Sequence, residues 1–289
     1  MGRTITVAAA QTGPVLTDDL SSAVAPACAM IVEAAERGAQ VICFPEVFMT
    51  PFFPNRLIND FDKYFLELPD PITEPIFECA RKHEMAMIFP YGERAGAHFY
   101  NSTAIVDRSG RIIGTYRKTH IPAILPSNQL GGTGSYEKFY FSPGGSLPVF
   151  ELDGVRIGVQ ICYDRKFPEG TRALALQGAD IVFMPICAAT YGENKLRGNT
   201  WELPIQSRAY ENGLFVVASN RCGDENGRLH IGKSMIVNPI GAAVMAMGSA
   251  ENTEVLVTAL DLDDVEAARK SLPWWRDRRP DLYGSLCAV

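Results

Sequence analysis

One unit recurs along this chain: a helical stretch, a glycine, and a short run of apolar, largely β-branched residues. From Leu20 to Arg37 apolar residues fall at helical spacing, Gly38 follows, and Val41-Ile42-Cys43-Phe44-Pro45 closes the unit. Leu176-Gln177-Gly178-Ala179-Asp180-Ile181-Val182-Phe183-Met184-Pro185 repeats it, and Tyr210-Glu211-Asn212-Gly213-Leu214-Phe215-Val216-Val217 is a looser third copy. Glycine at the end of a helical pattern marks a left-handed stop. A fully apolar run of four or five residues suits a strand covered on both faces rather than a half-exposed one. The alternation therefore predicts an α/β protein with buried sheet and internal duplication.

Residues 1–270 carry no low-complexity linker and read as one domain, with 271–289 as an extended C-terminal tail. That tail holds Pro273-Trp274-Trp275, and two adjacent tryptophans need apolar cover, which a partner subunit could supply. A formal net charge of −6 without a basic run argues against a nucleic-acid surface and for a small-molecule substrate. The longest apolar stretches, such as Leu214 to Ala218, fall far short of the roughly 20 residues that span a bilayer. The chain enters directly on a strand-like Ile5-Thr6-Val7-Ala8-Ala9-Ala10, which argues against export. Seven cysteines without a C-x-x-C pair fit thiols kept reduced in a cytoplasm. Cys28, Cys43 and Cys79 read as small buried hydrophobes. His83, His98, His120 and His230 show no metal-ligand spacing, so no metal and no cofactor is expected.

Cys162 follows a strand-like Val155-Arg156-Ile157-Gly158-Val159-Gln160-Ile161 and precedes Pro168-Glu169, which opens a helical stretch running to Gly178. A strand-to-helix turn presents a side chain outward and aims backbone N–H groups at an oxygen that gains charge during acyl transfer. Glu46 follows a fully apolar strand, where a carboxylate faces either a cleft or a salt-bridge partner. Lys118 ends the strand-like Ile112-Ile113-Gly114-Thr115-Tyr116-Arg117, and by itself reads as a solvated surface charge. Singly, neither residue specifies chemistry.

Together, Phe44-Pro45-Glu46, Tyr116-Arg117-Lys118-Thr119-His120-Ile121-Pro122 and Ile161-Cys162-Tyr163-Asp164 resemble, in order and spacing, the three signature segments of the nitrilase superfamily of carbon–nitrogen hydrolases. The resemblance continues through Pro168-Glu169, Asn220-Arg221 and Ser234-Met235-Ile236-Val237-Asn238-Pro239-Ile240-Gly241. It implies a four-layer αββα sandwich, paired across a homodimer or larger homo-oligomer, with a C-terminal tail reaching the partner subunit. It also implies Glu46 as general base, Lys118 as the group stabilising the tetrahedral intermediate, and Cys162 as nucleophile. A second glutamate, downstream of the lysine, positions substrate or lysine in that family; Glu137, the sole acid between Lys118 and Gly145, inherits the role. The expected oxyanion donors are Lys118 and the Tyr163 backbone N–H.

Within the superfamily, Cys162-Tyr163-Asp164-Arg165-Lys166-Phe167-Pro168-Glu169, Phe52-Phe53-Pro54 and Arg279-Pro280-Asp281-Leu282-Tyr283-Gly284 look most like the N-carbamoyl amino acid amidohydrolases. In that branch the arginine three residues after the cysteine holds the substrate carboxylate, which places the role on Arg165; an ion pair with Asp164 or Glu169 is the competing use. Lys166 stands where the branch can carry a second arginine, and Cys187-Ala188-Ala189-Thr190 replaces an expected asparagine. Both departures leave aliphatic amides, N-carbamoylputrescine, N-carbamoyl-β-alanine and nitriles open as substrates. Loops near Asn55, 129–135 and 190–201 are expected to wall the pocket.

Two readings of another class stand beside the hydrolase. Gly227-Arg228-Leu229-His230-Ile231-Gly232-Lys233-Ser234 fits a phosphate loop, but Met235-Ile236-Val237-Asn238-Pro239 after it reads as a strand where a helix is needed. A non-catalytic binding module of the same fold would have little use for all three catalytic residue types.

Overall fold

The computed structural model describes residues 3–124, 134–190 and 200–286. Of the expected pocket-wall segments 129–135 and 190–201, residues 129–133 and 191–199 lie outside the described residues, as does Cys287.

Two sheets form the centre. The first runs in the order Glu254–Asp261, Thr4–Gln11, Val41–Cys43, Ala86–Ala95, His98–Val106, Ile112–Arg117, with Phe65–Leu66 pairing onto Ala86–Ala95. The second runs Val244–Met247, Met235–Val237, Phe215–Ser219, Ile181–Pro185, Val155–Val159, Phe150–Leu152. Three central strands of each sheet are parallel, Thr4–Gln11, Val41–Cys43 and Ala86–Ala95 in one and Val155–Val159, Ile181–Pro185 and Phe215–Ser219 in the other, and the strands flanking them pair antiparallel.

Side chains alternate along a strand, so each strand feeds two different cores. Val7, Ala9, Val41 and Cys43 of the first sheet meet Ile157, Val159, Phe183 and Val217 of the second in the layer between the sheets. The intervening Ala8, Ala10 and Ile42 turn the other way, onto the helices Val24–Glu36 and Glu74–Lys82. Val182, Met184 and Val216 likewise face the helices Pro168–Leu176 and Glu202–Asn212. The result is the four-layer αββα sandwich. Three buried layers explain why the strands are apolar throughout: a polar residue at either phase would lose water without gaining a partner.

The stop glycines behave as expected. Gly38, Gly178 and Gly213 have φ of +80°, +93° and +54°, the left-handed conformation that reverses the chain from helix into strand. The phosphate-loop match holds the strand Arg228–Ile231 and is followed by the strand Met235–Val237, with no helix at its end. Among the described residues no helix is long and apolar enough to cross a membrane.

Two expectations need correction, the burial of Cys28 and Cys79 and the extended form of the tail. Cys43 is fully buried, but Cys28 and Cys79 are only partly so, and they lie against each other between two outer helices; the Cys79 thiol donates to the Cys28 carbonyl at 3.7 Å. The tail beyond Ser271 folds into short 3-10 turns, Pro273–Trp275, Pro280–Leu282 and Gly284–Leu286. Its tryptophans find much of their cover on their own chain: Trp274 packs edge-on against Tyr210 at 5.3 Å, and the Arg172 and Arg269 guanidinium groups stack over Trp275.

Candidate active site

Glu46, Lys118 and Cys162 each lie just past the carboxyl end of a strand, Val41–Cys43, Ile112–Arg117 and Val155–Val159. Because the two sheets stack face to face, those ends converge; Ser219 of the second sheet donates to the Cys43 carbonyl of the first at 2.8 Å.

Lys118 is fully buried, and its ammonium sits between two carboxylates: Nζ to Glu46 Oε1 is 2.7 Å and to Glu137 Oε2 is 2.6 Å. The surface reading of Lys118 is thereby excluded. Burial alone would favour the neutral amine, but the charges of Glu137 and Glu46 override it and hold Lys118 protonated, well above the usual lysine range. Glu137 opens the short helix Glu137–Tyr140 and takes a second hydrogen bond from Ser135 Oγ at 3.0 Å. Burial raises its carboxyl above the usual range; the Lys118 charge opposes that shift and the Glu46 charge adds to it.

Glu46 is also fully buried. Its Oε1 accepts from both Lys118 and Asn101 Nδ2, the latter at 2.7 Å, while Oε2 has no partner among the described residues. A buried carboxylate oxygen without a donor is costly to keep, and such an atom is a proton acceptor in waiting.

Cys162 begins the 3-10 turn Cys162–Lys166 in a left-handed conformation, φ +45°. A side-chain-bearing residue there carries about 1–3 kcal/mol of strain. What holds it is Asp164, itself fully buried, which accepts hydrogen bonds from Ile161 N, Tyr116 Oη, Thr119 Oγ1 and His120 N at 2.7–3.1 Å. That network locks the cysteine turn to the segment following Lys118. The Tyr163 backbone N–H lies in the opening turn, where helical N–H groups lack intrahelical acceptors. Its ring packs edge-on against Phe167 and lines a cleft with His120, Pro122 and Phe141 that none of Glu46, Lys118, Glu137 and Cys162 lines.

Burial pushes the Cys162 thiol up to about 11; the Glu46 charge adds to this, and Lys118 and Arg165 pull the other way. At neutral pH the sulfur is therefore protonated, and a nucleophilic role would require a base to remove its proton. Alkylation of Cys162 by iodoacetamide, followed by peptide mass spectrometry, should keep accelerating with pH to near 11; a plateau at the free-thiol value of about 8.5 would contradict the burial argument.

Arg165 is buried beside Cys162. Its Nη1 donates to the Cys162 carbonyl at 2.7 Å and lies 3.6 Å from Sγ, and its guanidinium stacks on Trp201. It forms no ion pair with Asp164 or Glu169 among the described residues, and its Nε is buried without a partner. Lys166 Nζ donates to the Thr200 carbonyl at 3.0 Å. Cys187 and Ala188, standing where an asparagine was expected, are buried.

Asn101, Ser135 and Asp164 are the site residues that sequence reasoning missed as such. Asn101-Ser102-Thr103 interrupts an otherwise apolar strand, and a buried polar run in mid-strand signals a polar obligation across the sheet. Asp164 belongs to the third signature segment, and its position at the start of a helical turn marks it as a capping acid.

A family model described as carbon-nitrogen hydrolase matches residues 6–270. The chain is 36% identical over 300 residues to an N-carbamoylputrescine amidase of Solanum lycopersicum, covering 99% of this chain and 96% of that protein. It is 33% identical over 268 residues to a citrullinase of Francisella tularensis subsp. tularensis, covering 89% of each. Among solved structures, a carbon-nitrogen hydrolase from Helicobacter pylori G27 superimposes with a TM-score of 0.88 at 26% identity, covering 99% of both chains.

Proposed function

The chain belongs to the carbon–nitrogen hydrolase family and is a hydrolase of carbon–nitrogen bonds other than peptide bonds; from that premise we propose that Glu46, Lys118 and Cys162 hydrolyse the ureido group of an N-carbamoyl amino acid. The observation that carries the catalytic part is the unpartnered Glu46 Oε2 in a site whose thiol is protonated at neutral pH. Oε2 takes the Sγ proton as the sulfur attacks the ureido carbonyl, and Lys118 with the Tyr163 N–H stabilises the oxyanion. Glu46 returns the proton to the departing ammonia, leaving a carbamoyl thioester on Cys162. Water, deprotonated by Glu46, then releases a carbamate, which decomposes to carbon dioxide and the free amino acid. Glu137 keeps Lys118 charged and in place. Residues 1–270 act as the hydrolase domain and the chain works as a homo-oligomer on a small-molecule substrate.

Arg165 supports the carboxylate half of the substrate, as a buried guanidinium next to Cys162 with no carboxylate among the described residues to pair with. Lys166 adds positive charge on the same turn. N-carbamoylputrescine is the second reading, favoured by the 36% identical amidases; its tail is an ammonium, which Arg165 would repel. Ammonia release from N-carbamoyl amino acids of both hands, N-carbamoyl-β-alanine, N-carbamoylputrescine, simple amides and nitriles separates them. Arg165→Ala should raise KM for a carbamoyl amino acid by about 10- to 100-fold, the scale of a lost charge-assisted hydrogen bond. Preferential turnover of N-carbamoylputrescine, indifferent to Arg165→Ala, would overturn the carboxylate assignment and leave the hydrolase intact.

A further inference from the structure

The turn that follows Glu46 is strained and held from the opposite sheet. Val47 has φ +40°, a left-handed conformation that a β-branched residue tolerates poorly. Local bonds do little to enforce it: Thr50 N and Oγ1 both donate to the Val47 carbonyl, at 3.0 and 3.2 Å. The stronger grip comes from Arg221, which follows the strand Phe215–Ser219 of the second sheet and is fully buried. Its Nη2 donates to the carbonyls of Val47 and Thr50 at 2.6 and 2.7 Å and lies 3.5 Å from that of Glu46. Its Nη1 donates to Glu225 Oε2 at 2.6 Å. Glu225 in turn accepts from Phe52 N at 2.6 Å and Val15 N at 2.9 Å.

We infer that Arg221, backed by Glu225, is a positioning residue that sets the direction of the Glu46 carboxylate by clamping the turn behind it. The inference rests on the catalytic reading of Glu46. A fold-holding role alone accounts less well for the geometry. The guanidinium is buried with its Nε unpartnered, a desolvation cost that a purely apolar contact between the sheets would avoid, and its Nη2 acceptors all lie at or within four residues of Glu46. A forked guanidinium reaches several carbonyls at fixed angles; a lysine ammonium cannot reproduce that geometry.

Arg221→Lys keeps the charge and loses the fork. Steady-state ammonia release should show kcat down by about 10²-fold with KM within about threefold of wild type, the pattern of a group displaced from its transition-state position. Should Arg221→Lys not fold, Glu225→Gln decides, with kcat expected to fall about tenfold at unchanged KM. Wild-type kcat in the folded variant, or a loss confined to KM, overturns the inference. Glu46→Gln measured alongside separates two failures. If Glu46→Gln is inactive while Arg221→Lys is fully active, the positioning role alone falls; if Glu46→Gln retains kcat, the catalytic reading falls with it.

Discussion

Cys162→Ala should abolish turnover of every ureido, amide and nitrile substrate that the wild-type protein accepts, by about 10⁶-fold, the scale at which removing the nucleophile of a concerted set acts. The size follows from the geometry. On the proposed mechanism, Glu46 Oε2 and the Lys118 ammonium, both buried, serve Cys162 alone, and alanine leaves them with nothing to act on. Folding should survive, because Cys162 is partly exposed and the turn is held by Asp164 and not by the thiol. Alanine also accepts the left-handed φ of +45° no more readily than cysteine, so the strain is unchanged. Rapid-quench mass spectrometry on wild type should catch an adduct on Cys162 that the variant lacks. Residual turnover by Cys162→Ala within tenfold of wild type would reassign the nucleophile, and an inactive wild type across the whole substrate panel would favour the binding-module reading.

Lys118→Met should damage stability as well as catalysis. Removing the cation leaves Glu46 and Glu137 buried without the charge that both hydrogen-bond, and breaking a buried ion pair from one side costs about 3–5 kcal/mol. The pH dependence carries a sign. The Lys118 charge holds the Glu137 carboxyl down against burial, so its loss raises that folded-state pKa further above the unfolded value. A carboxyl raised in the folded state binds its proton more tightly there than in the unfolded chain. Its stabilising contribution is present at low pH and lost as pH rises through the folded value. Urea denaturation should therefore show Lys118→Met recovering stability, relative to wild type, as pH is lowered toward the unfolded carboxyl value of about 4.3. Adding Glu137→Gln should restore much of the stability at pH 7 and none of the activity. A Lys118→Met protein as stable as wild type at every pH would mean that the three charges are not coupled as the 2.6 and 2.7 Å contacts require.

How much of this was legible beforehand depended on the range of the interaction. The helix–glycine–strand unit is local, and each of its predictions held: the strands Val41–Cys43, Ile181–Pro185 and Phe215–Ser219 all form, each preceded by a glycine at positive φ. Glu46, Lys118, Glu137 and Cys162 were singled out through a motif resemblance, and the fold brings Lys118 within hydrogen-bonding distance of both acids. The supporting residues were not legible. Asn101 reaches Glu46 across 55 positions, Tyr116 reaches Asp164 across 48, and Arg221 reaches Val47 across 174. No periodicity encodes such pairs. The cover that Trp274 and Trp275 find on their own chain, and the facing of Cys28 and Cys79, were hidden for the same reason.

The sequence by itself determined where helices stop and strands begin, and that the strands are apolar on both faces, because backbone conformation and side-chain period are settled within a few residues. Only the tertiary structure decided which isolated polar residues share a site, that Lys118 is a buried ion and not a surface one, and that the Glu46 turn hangs on an arginine from the other sheet. Those outcomes depend on desolvation, and a group's loss of water is set by whatever the completed fold packs around it.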